Sequence, residues 1–286
     1  MKRLDVSVTT ALWVFFACLT HLQIAVAQDS PGAEYEPPLF RQVLSSEPPI
    51  LPAETTVRLL TDSDFAPFSF TSSTGAPTGL SVELAVAACA ELVLRCTVTA
   101  LPFAEIMPAL ARGEGDAAIA GPRLDEDTAR QALATRPFFR TMGRFATLIG
   151  NPIEAADADS LAGKRIGVAA NSVHARWLDV YYADSEIVLF EDAAAAGDAL
   201  RKGKIDVFFG DNVQLIYWTS GQVSGGCCRL LGGAYSDFDH FSRNLVFLVQ
   251  RQNPELRQAF DYGLDMLQKN GTTARIIKAY FPLSPW

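Results

Sequence analysis

The stretch FAEIMPALARGEGDAAIAGPRLDEDTARQALATRPFF, residues 103–139, decides how the rest of the chain folds. Ile106 and Leu110 stand one helical turn apart, and Gly113 and Gly115 stop that helix. Residues 116–120 form a short apolar run closed by Gly121 and Pro122, which predicts a buried strand. Helix followed by strand is one unit of an α/β sheet, and such sheets hold ligands beyond the carboxyl ends of their strands. Gly121 to Arg130 occupies that position, so Arg130 is the first candidate for touching a ligand.

Outward from this unit the same alternation continues. Toward the N-terminus, 56–60 reads as a strand, TDSDFAPFSF as a turn-rich connection and 96–100 as a second strand. Between them 80–94 is a helix apolar on nearly all sides, which predicts burial between layers. Toward the C-terminus, 145–149 is a strand, and a second series follows with strands at 165–169, 187–190 and 205–210 and helices at 172–182 and 192–202. That order predicts parallel strands. A strand at 244–249 and two helices, 254–270 and 272–280, close the chain. Two α/β lobes with a cleft between them follow.

At 286 residues the chain is long enough for two compact lobes. Its beginning has the pattern of a cleavable secretory signal over residues 1–27: Lys2 and Arg3, an apolar run from Ala11 to Ala27, and Ala25-Val26-Ala27 before Gln28. His21 and Gln23 interrupt that run, and no other stretch reaches the ~18 apolar residues of a membrane span. The expectation is an exported, periplasmic protein. Residues 28–54 contain Pro31, Pro37, Pro38, Pro48, Pro49 and Pro52 with no apolar period, and read as a flexible leader. The formal charge is −8, and −9 once Lys2, Arg3 and Asp5 leave, so nucleic acid and anionic lipid are poor partners. Cys89, Cys96, Cys227 and Cys228 remain, an even number in an oxidising compartment. Compartment favours a Cys89–Cys96 bridge, whereas neighbouring Cys227 and Cys228 leave a vicinal bridge and two thiols both open.

TDSDFAPFSF, GLSVELA, ALARGEGDAAIAG with a downstream arginine, LAGKRIGVAANS, KIDVFFGD and ELRQAF…NGTTARIIKAYF together resemble the periplasmic amino-acid-binding proteins of ABC importers, extracellular solute-binding protein family 3. The histidine and lysine/arginine/ornithine binders are the nearest type, and the resemblance covers about residues 55–283. It implies a two-lobed, type II periplasmic-binding-protein clamshell with mixed, mostly parallel sheets and helices on both faces. Lobe 1 would be 55–146 plus 238–286, with lobe 2, 147–237, inserted in it. The implied partners are a small ligand, an amino acid above all, and a membrane ABC permease; the protein would be a monomer without cofactor. The seven-residue separation of Cys89 and Cys96 also resembles a disulfide of some members.

A free amino acid presents a carboxylate and an ammonium, so its site needs a bidentate cation and a fixed anion. By resemblance Arg130 is the carboxylate clamp and Asp211, at the end of the 205–210 strand, the ammonium-binding acid; a solvated arginine and a plain helix cap are the competing readings. Ser172 opens a helix after a strand, where its hydroxyl and the N–H groups of Val173 and His174 make an anion site, or a simple N-cap, or both. Phe65 and Phe103 resemble the apolar walls on which the ligand packs, and Asp62 an acid that reaches a cationic side chain. Aromatic residues equally fill cores, and an Asp in a turn needs no ligand.

The chain departs from the family where a Ser or Thr is usual: it reads Gly121-Pro122-Arg123-Leu124, with two extra residues before Arg130. A hydroxyl contact is lost, and Arg123 either replaces Arg130 as clamp or adds a second positive charge. His174 replaces a polar residue and either contacts a ligand edge or is structural. With His174 and His240 as the histidines left after signal cleavage, no metal-ligand pair and no G-x-S-x-G, hydrolase and metalloenzyme chemistry are disfavoured. The enzyme alternative is an exported cyclohexadienyl (arogenate) dehydratase of the same fold, which would use a pocket acid to protonate a leaving hydroxyl. A sensory domain feeding a membrane kinase is disfavoured, since no span follows the last lobe.

Overall fold

The structure is a computed structural model that describes residues 49, 51–52, 56–121, 126–237, 239–241 and 244–286. Residues 1–27, read above as a signal, nearly all of 28–54, read as a leader, and Arg123 lie outside the described residues. Leu51, from the end of the leader, packs against the core of the first sheet. Among the described residues no helix is long and apolar enough to cross a membrane.

Two five-stranded sheets carry the fold. In the first, Arg95–Leu101, Thr56–Asp62 and Ala117–Ala118 run parallel, and Leu248–Gln250 and Ala132–Ala134 extend the sheet beyond them. In the second, Glu186–Phe190, Arg165–Ala169 and Val207–Asp211 run parallel, as the alternation predicts. Gly143–Leu148 and Cys228–Tyr235 complete it, and Gly143–Leu148 is antiparallel to both its neighbours. The parallel expectation stops there because the chain enters this sheet directly from the first, with no helical crossover to turn it round. Gly143–Leu148 lies wholly in the second sheet, so the change of sheet falls before Gly143 rather than at 146/147. Between the sheets, Phe139–Arg140 pairs antiparallel with Asn244–Leu245, where the chain leaves the first sheet and returns to it. The expected 244–249 strand is therefore two short pieces, Asn244–Leu245 and Leu248–Gln250, each paired elsewhere.

Period-two alternation places the cores. Leu59, Ile119, Phe247 and Val249 face one buried cluster of the first sheet, while Leu60, Ala118, Val246 and Leu248 face another. Phe145, Val207 and Phe209 against Ala146 and Phe208 do the same in the second. Each sheet is thus covered on both faces, which is the α/β layering. Leu80–Glu91 departs from expectation: Glu83, Val86, Ala90 and Glu91 are exposed, so this helix covers the sheet rather than lying between layers. Its apolar look comes from alanines, which solvent tolerates. The helix meets Pro254–Lys269 closely, since a Cβ on Gly263 would lie 3.1 Å from the Ala88 Cβ.

The two sheets repeat one device. ALARGEGD at 109–116 and ALRKGKID at 199–206 share their spacing. In each, a glycine with positive φ ends a helix, Gly113 at +75° and Gly203 at +67°. The residue after it closes the turn, Glu114 N onto Ala109 O at 3.0 Å and Lys204 N onto Ala199 O at 2.9 Å. The aspartate that follows grips an arginine on the neighbouring strand. Asp116 accepts from Arg58 N at 2.8 Å and Nη2 at 2.7 Å, and Asp206 from Arg165 N at 2.9 Å and Nη2 at 2.8 Å. Cys89 and Cys96 are joined, with S–S 2.00 Å. Cys227 and Cys228, which sequence left open, are joined as well.

Candidate functional site

Asp62 is the last residue of Thr56–Asp62, at a carboxyl strand end, and is only 8% exposed. Its Oδ1 accepts from Ser63 N at 2.7 Å and Asp64 N at 3.3 Å, which folds the chain back into the turn carrying Phe65. Phe65 stacks on Phe68 with ring centroids 5.1 Å apart. That turn needs Gly79: at φ +124° any Cβ would come within 2.3 Å of Phe68 O. Phe103 opens its helix with 58% of its surface exposed. Gly121 turns beyond the end of Ala117–Ala118 with φ +73°, where a side chain would be strained and its Cβ would crowd the Phe138 ring at 3.3 Å.

These residues line a hollow of about 990 Å³, together with Phe70, Tyr217, Tyr280 and Asp211. Asp211 comes from the other sheet. It ends Val207–Asp211 and caps the following helix, its Oδ1 accepting from Val213 N at 3.0 Å and Gln214 N at 3.1 Å. Tyr217, one and a half turns further on, turns its hydroxyl inward to donate to Tyr280 O at 2.5 Å. Burial and the neighbouring Tyr280 push the Tyr217 pKa up to about 12, so it remains a donor. Asp62 and Asp211 are acids in this wall, and its described residues include no Lys or Arg.

A smaller hollow of about 420 Å³ adjoins, sharing Thr141, Asp211 and Gln214 with the larger one. Ser172, Val173 and His174 line it at the start of Val173–Tyr181, with Arg176 and His240. The Ser172 Oγ accepts from Ala175 N at 3.0 Å and donates to Ala169 O at 2.7 Å. The cap reading of Ser172 is therefore observed, and its hydroxyl proton is committed to the protein. His174 packs its ring against Phe241, 5.2 Å between centroids, and Phe209, 5.6 Å. His240 Nδ1 lies 3.2 Å from Asp237 Oδ1.

The structure thus brings Asp62, Phe65, Phe103, Gly121, Ser172, Val173, His174 and Asp211 around two joined hollows. Arg130 lines neither: on Glu126–Gln131 it pairs with Asp127 of its own helix, and its carbonyl accepts from Arg251 Nη1 at 2.8 Å. Sequence reasoning missed Phe68, Thr141, Gln214, Tyr217, Tyr280 and Arg176. Gln214 and Tyr217 carried a signal, since they follow Asp211 by three and six residues on the helix it caps. Thr141 and Tyr280 carried none.

The family model for bacterial extracellular solute-binding proteins, family 3, matches residues 57–283. The chain belongs to that family. The solute-binding protein is similar to the L-arginine-binding protein of Pseudomonas aeruginosa, 26% identical over 82% of this chain and 90% of the relative. Its fold is that of substrate-binding domain 2 of Lactococcus lactis GlnP in its open conformation, with TM-score 0.67, 22% identity and coverage of 81% and 97%. An ancestral cyclohexadienyl dehydratase has the same fold, with TM-score 0.66, 15% identity and coverage of 79% and 92%. The two sheets are the lobes of a type II clamshell, and family members are periplasmic.

Proposed function

We propose that this protein, exported by residues 1–27 and acting as a monomer, captures a free amino acid between its lobes and hands it to a membrane ABC importer. The lobes of this reading are 56–140 with 244–286, and 143–235; the Phe139–Arg140 and Asn244–Leu245 pair is the hinge. The observation that carries it is the position of Asp211, which stands in the wall of both hollows while Asp62 comes from the other five-stranded sheet and the Phe65–Phe68 stack from the turn that follows it. Asp211 holds the ligand ammonium. Phe65 and Phe103 flank the side chain, Gly121 leaves room for it, and buried Asp62 meets a cationic head; Ser172, Val173 and His174 face the carboxylate. A basic amino acid satisfies all of these, since its apolar stem packs on aromatic faces and its cation neutralises a buried carboxylate.

The test is a thermal-shift screen of the twenty amino acids, ornithine, arogenate and prephenate on the mature protein. A basic amino acid at ~100 times its dissociation constant should stabilise by about 2.7 kcal/mol. No shift with any amino acid sinks the reading. A shift with arogenate accompanied by release of phenylalanine would establish the dehydratase instead, a reading that now rests on shared fold alone.

A further inference from the structure

We propose that Arg176, from the second lobe, is the cation that holds the ligand's carboxylate, and that the 420 Å³ hollow is therefore an anion subsite joined to an apolar, acid-walled side-chain subsite. The inference rests on the amino-acid reading above and says which residue supplies the positive charge that reading requires. The larger hollow has no described Lys or Arg in its wall, and Arg130 is held by Asp127 outside both. Arg176 lines the smaller hollow, and its guanidinium has no ion pair or side-chain hydrogen bond among the described residues.

Its placement runs against local preference. Arg176 sits four residues after the Ser172 cap, in the first turns of a helix, where the partial positive charge of the helix end disfavours a cation. The first turn has no acidic residue to offset it. His174 and His240 border the same space. Arg176 and Ser172 are one helical turn apart and share a helix face. A carboxylate in this hollow leaves its own Cα substituents facing the shared wall of Thr141, Asp211 and Gln214. The ammonium then meets Asp211, and the side chain continues into the 990 Å³ hollow toward Phe65 and Asp62. The ligand class is an α-amino acid with a long side chain whose carboxylate is gripped from lobe 2.

Calorimetry on the mature protein with L-arginine and with agmatine, which is arginine without its carboxylate, tests this. L-histidine with histamine serves in the same way if histidine is the amino acid bound. In the wild-type protein the amino acid should bind at least about tenfold more tightly than its amine, the value of one charge-assisted bond. Arg176→Gln should weaken the amino acid by about tenfold to a hundredfold, leave the amine nearly unchanged and so remove the gap. Its melting temperature without ligand should stay at the wild-type value, because among the described residues the guanidinium has no bond to lose. Arg130→Gln and Arg123→Gln should each preserve the gap. An unchanged gap in Arg176→Gln, equal losses of acid and amine, or a gap removed by Arg123→Gln would overturn the proposal. If the wild type binds no amino acid, the proposed function falls and succinate becomes the probe: Arg176-dependent succinate binding upholds the anion subsite, and its absence ends that too.

Discussion

Asp211 has two jobs that one substitution can separate. It caps the helix Asn212–Ser220 and it walls both hollows. Asp211→Ser keeps a capping oxygen and removes the charge, so melting temperature should stay close to wild type while amino-acid affinity is lost. Asp211→Ala should lose the affinity and also about 1 kcal/mol of stability. If Asp211→Ser binds normally, the residue is a cap alone, and parallel melting and titration curves decide. Gly79 is a second residue-scale test. Gly79→Ala would drive a methyl into Phe68 O, 2.3 Å away, at a backbone angle that L residues avoid. Denaturant unfolding should show a loss of about 2 kcal/mol or more, and the Phe65–Phe68 wall should shift with it.

At the scale of elements, the repeated Arg–Asp grip fastens the third of each sheet's three parallel strands, in chain order, to the first. In the second sheet, hydrogen bonds from the Arg165 side chain hold the Asp206 carboxyl below the usual carboxylate range, against the opposing effect of burial. At Asp116 burial is the largest influence and pushes upward, yet the Arg58 bonds outweigh it and the carboxyl again lies low. A carboxyl whose folded pKa is depressed stabilises the fold above its unfolded value and gives that stability up as pH falls below about 4. Urea midpoints measured from pH 5 down should therefore drop more steeply for wild type than for Asp206→Asn, which begins lower and loses less. Equal slopes would remove Asp206 from the acid response. The disulfide belongs to this scale too, tying the end of Leu80–Glu91 to Arg95–Leu101 across seven residues. Cys89→Ser with Cys96→Ser should cost about 2 to 3 kcal/mol and leave affinity unchanged, because neither residue lines a hollow.

Over the whole molecule, the walls of the two hollows come from Asp62, at the end of a strand of the first sheet, with Phe65 in the turn after it, and from Asp211 and Ser172, which follow strands of the second. A ligand that touches both sides stabilises the arrangement that brings them together. Solution scattering with saturating amino acid should give a smaller radius of gyration than without; superimposable profiles would count against closure. The segment after the last helix also spans the lobes: Asn212 Nδ2 donates to Pro285 O at 2.8 Å, one residue from Asp211. In the proposed reading, closure turns about the Phe139–Arg140 and Asn244–Leu245 pairing, beside which this contact lies.

Sequence by itself determined the order of the main elements, the two series of strands and helices and the position of Asp211 at a strand end. All of these are written in local period, turn chemistry and spacing, which neighbours along the chain carry. The repeat of ALARGEGD and ALRKGKID was equally legible, a matter of spacing alone. Tertiary structure decided what spacing cannot express. It put Gly143–Leu148 in the second sheet, because strand partners are chosen by long-range pairing. It set Thr141, Tyr217 and Tyr280 beside Asp62, residues far apart in the chain that share no local pattern. And among the described arginines it set Arg130 against Asp127 on its own helix, away from both hollows, and Arg176, on a helix packed on the other sheet, in the wall of the smaller one.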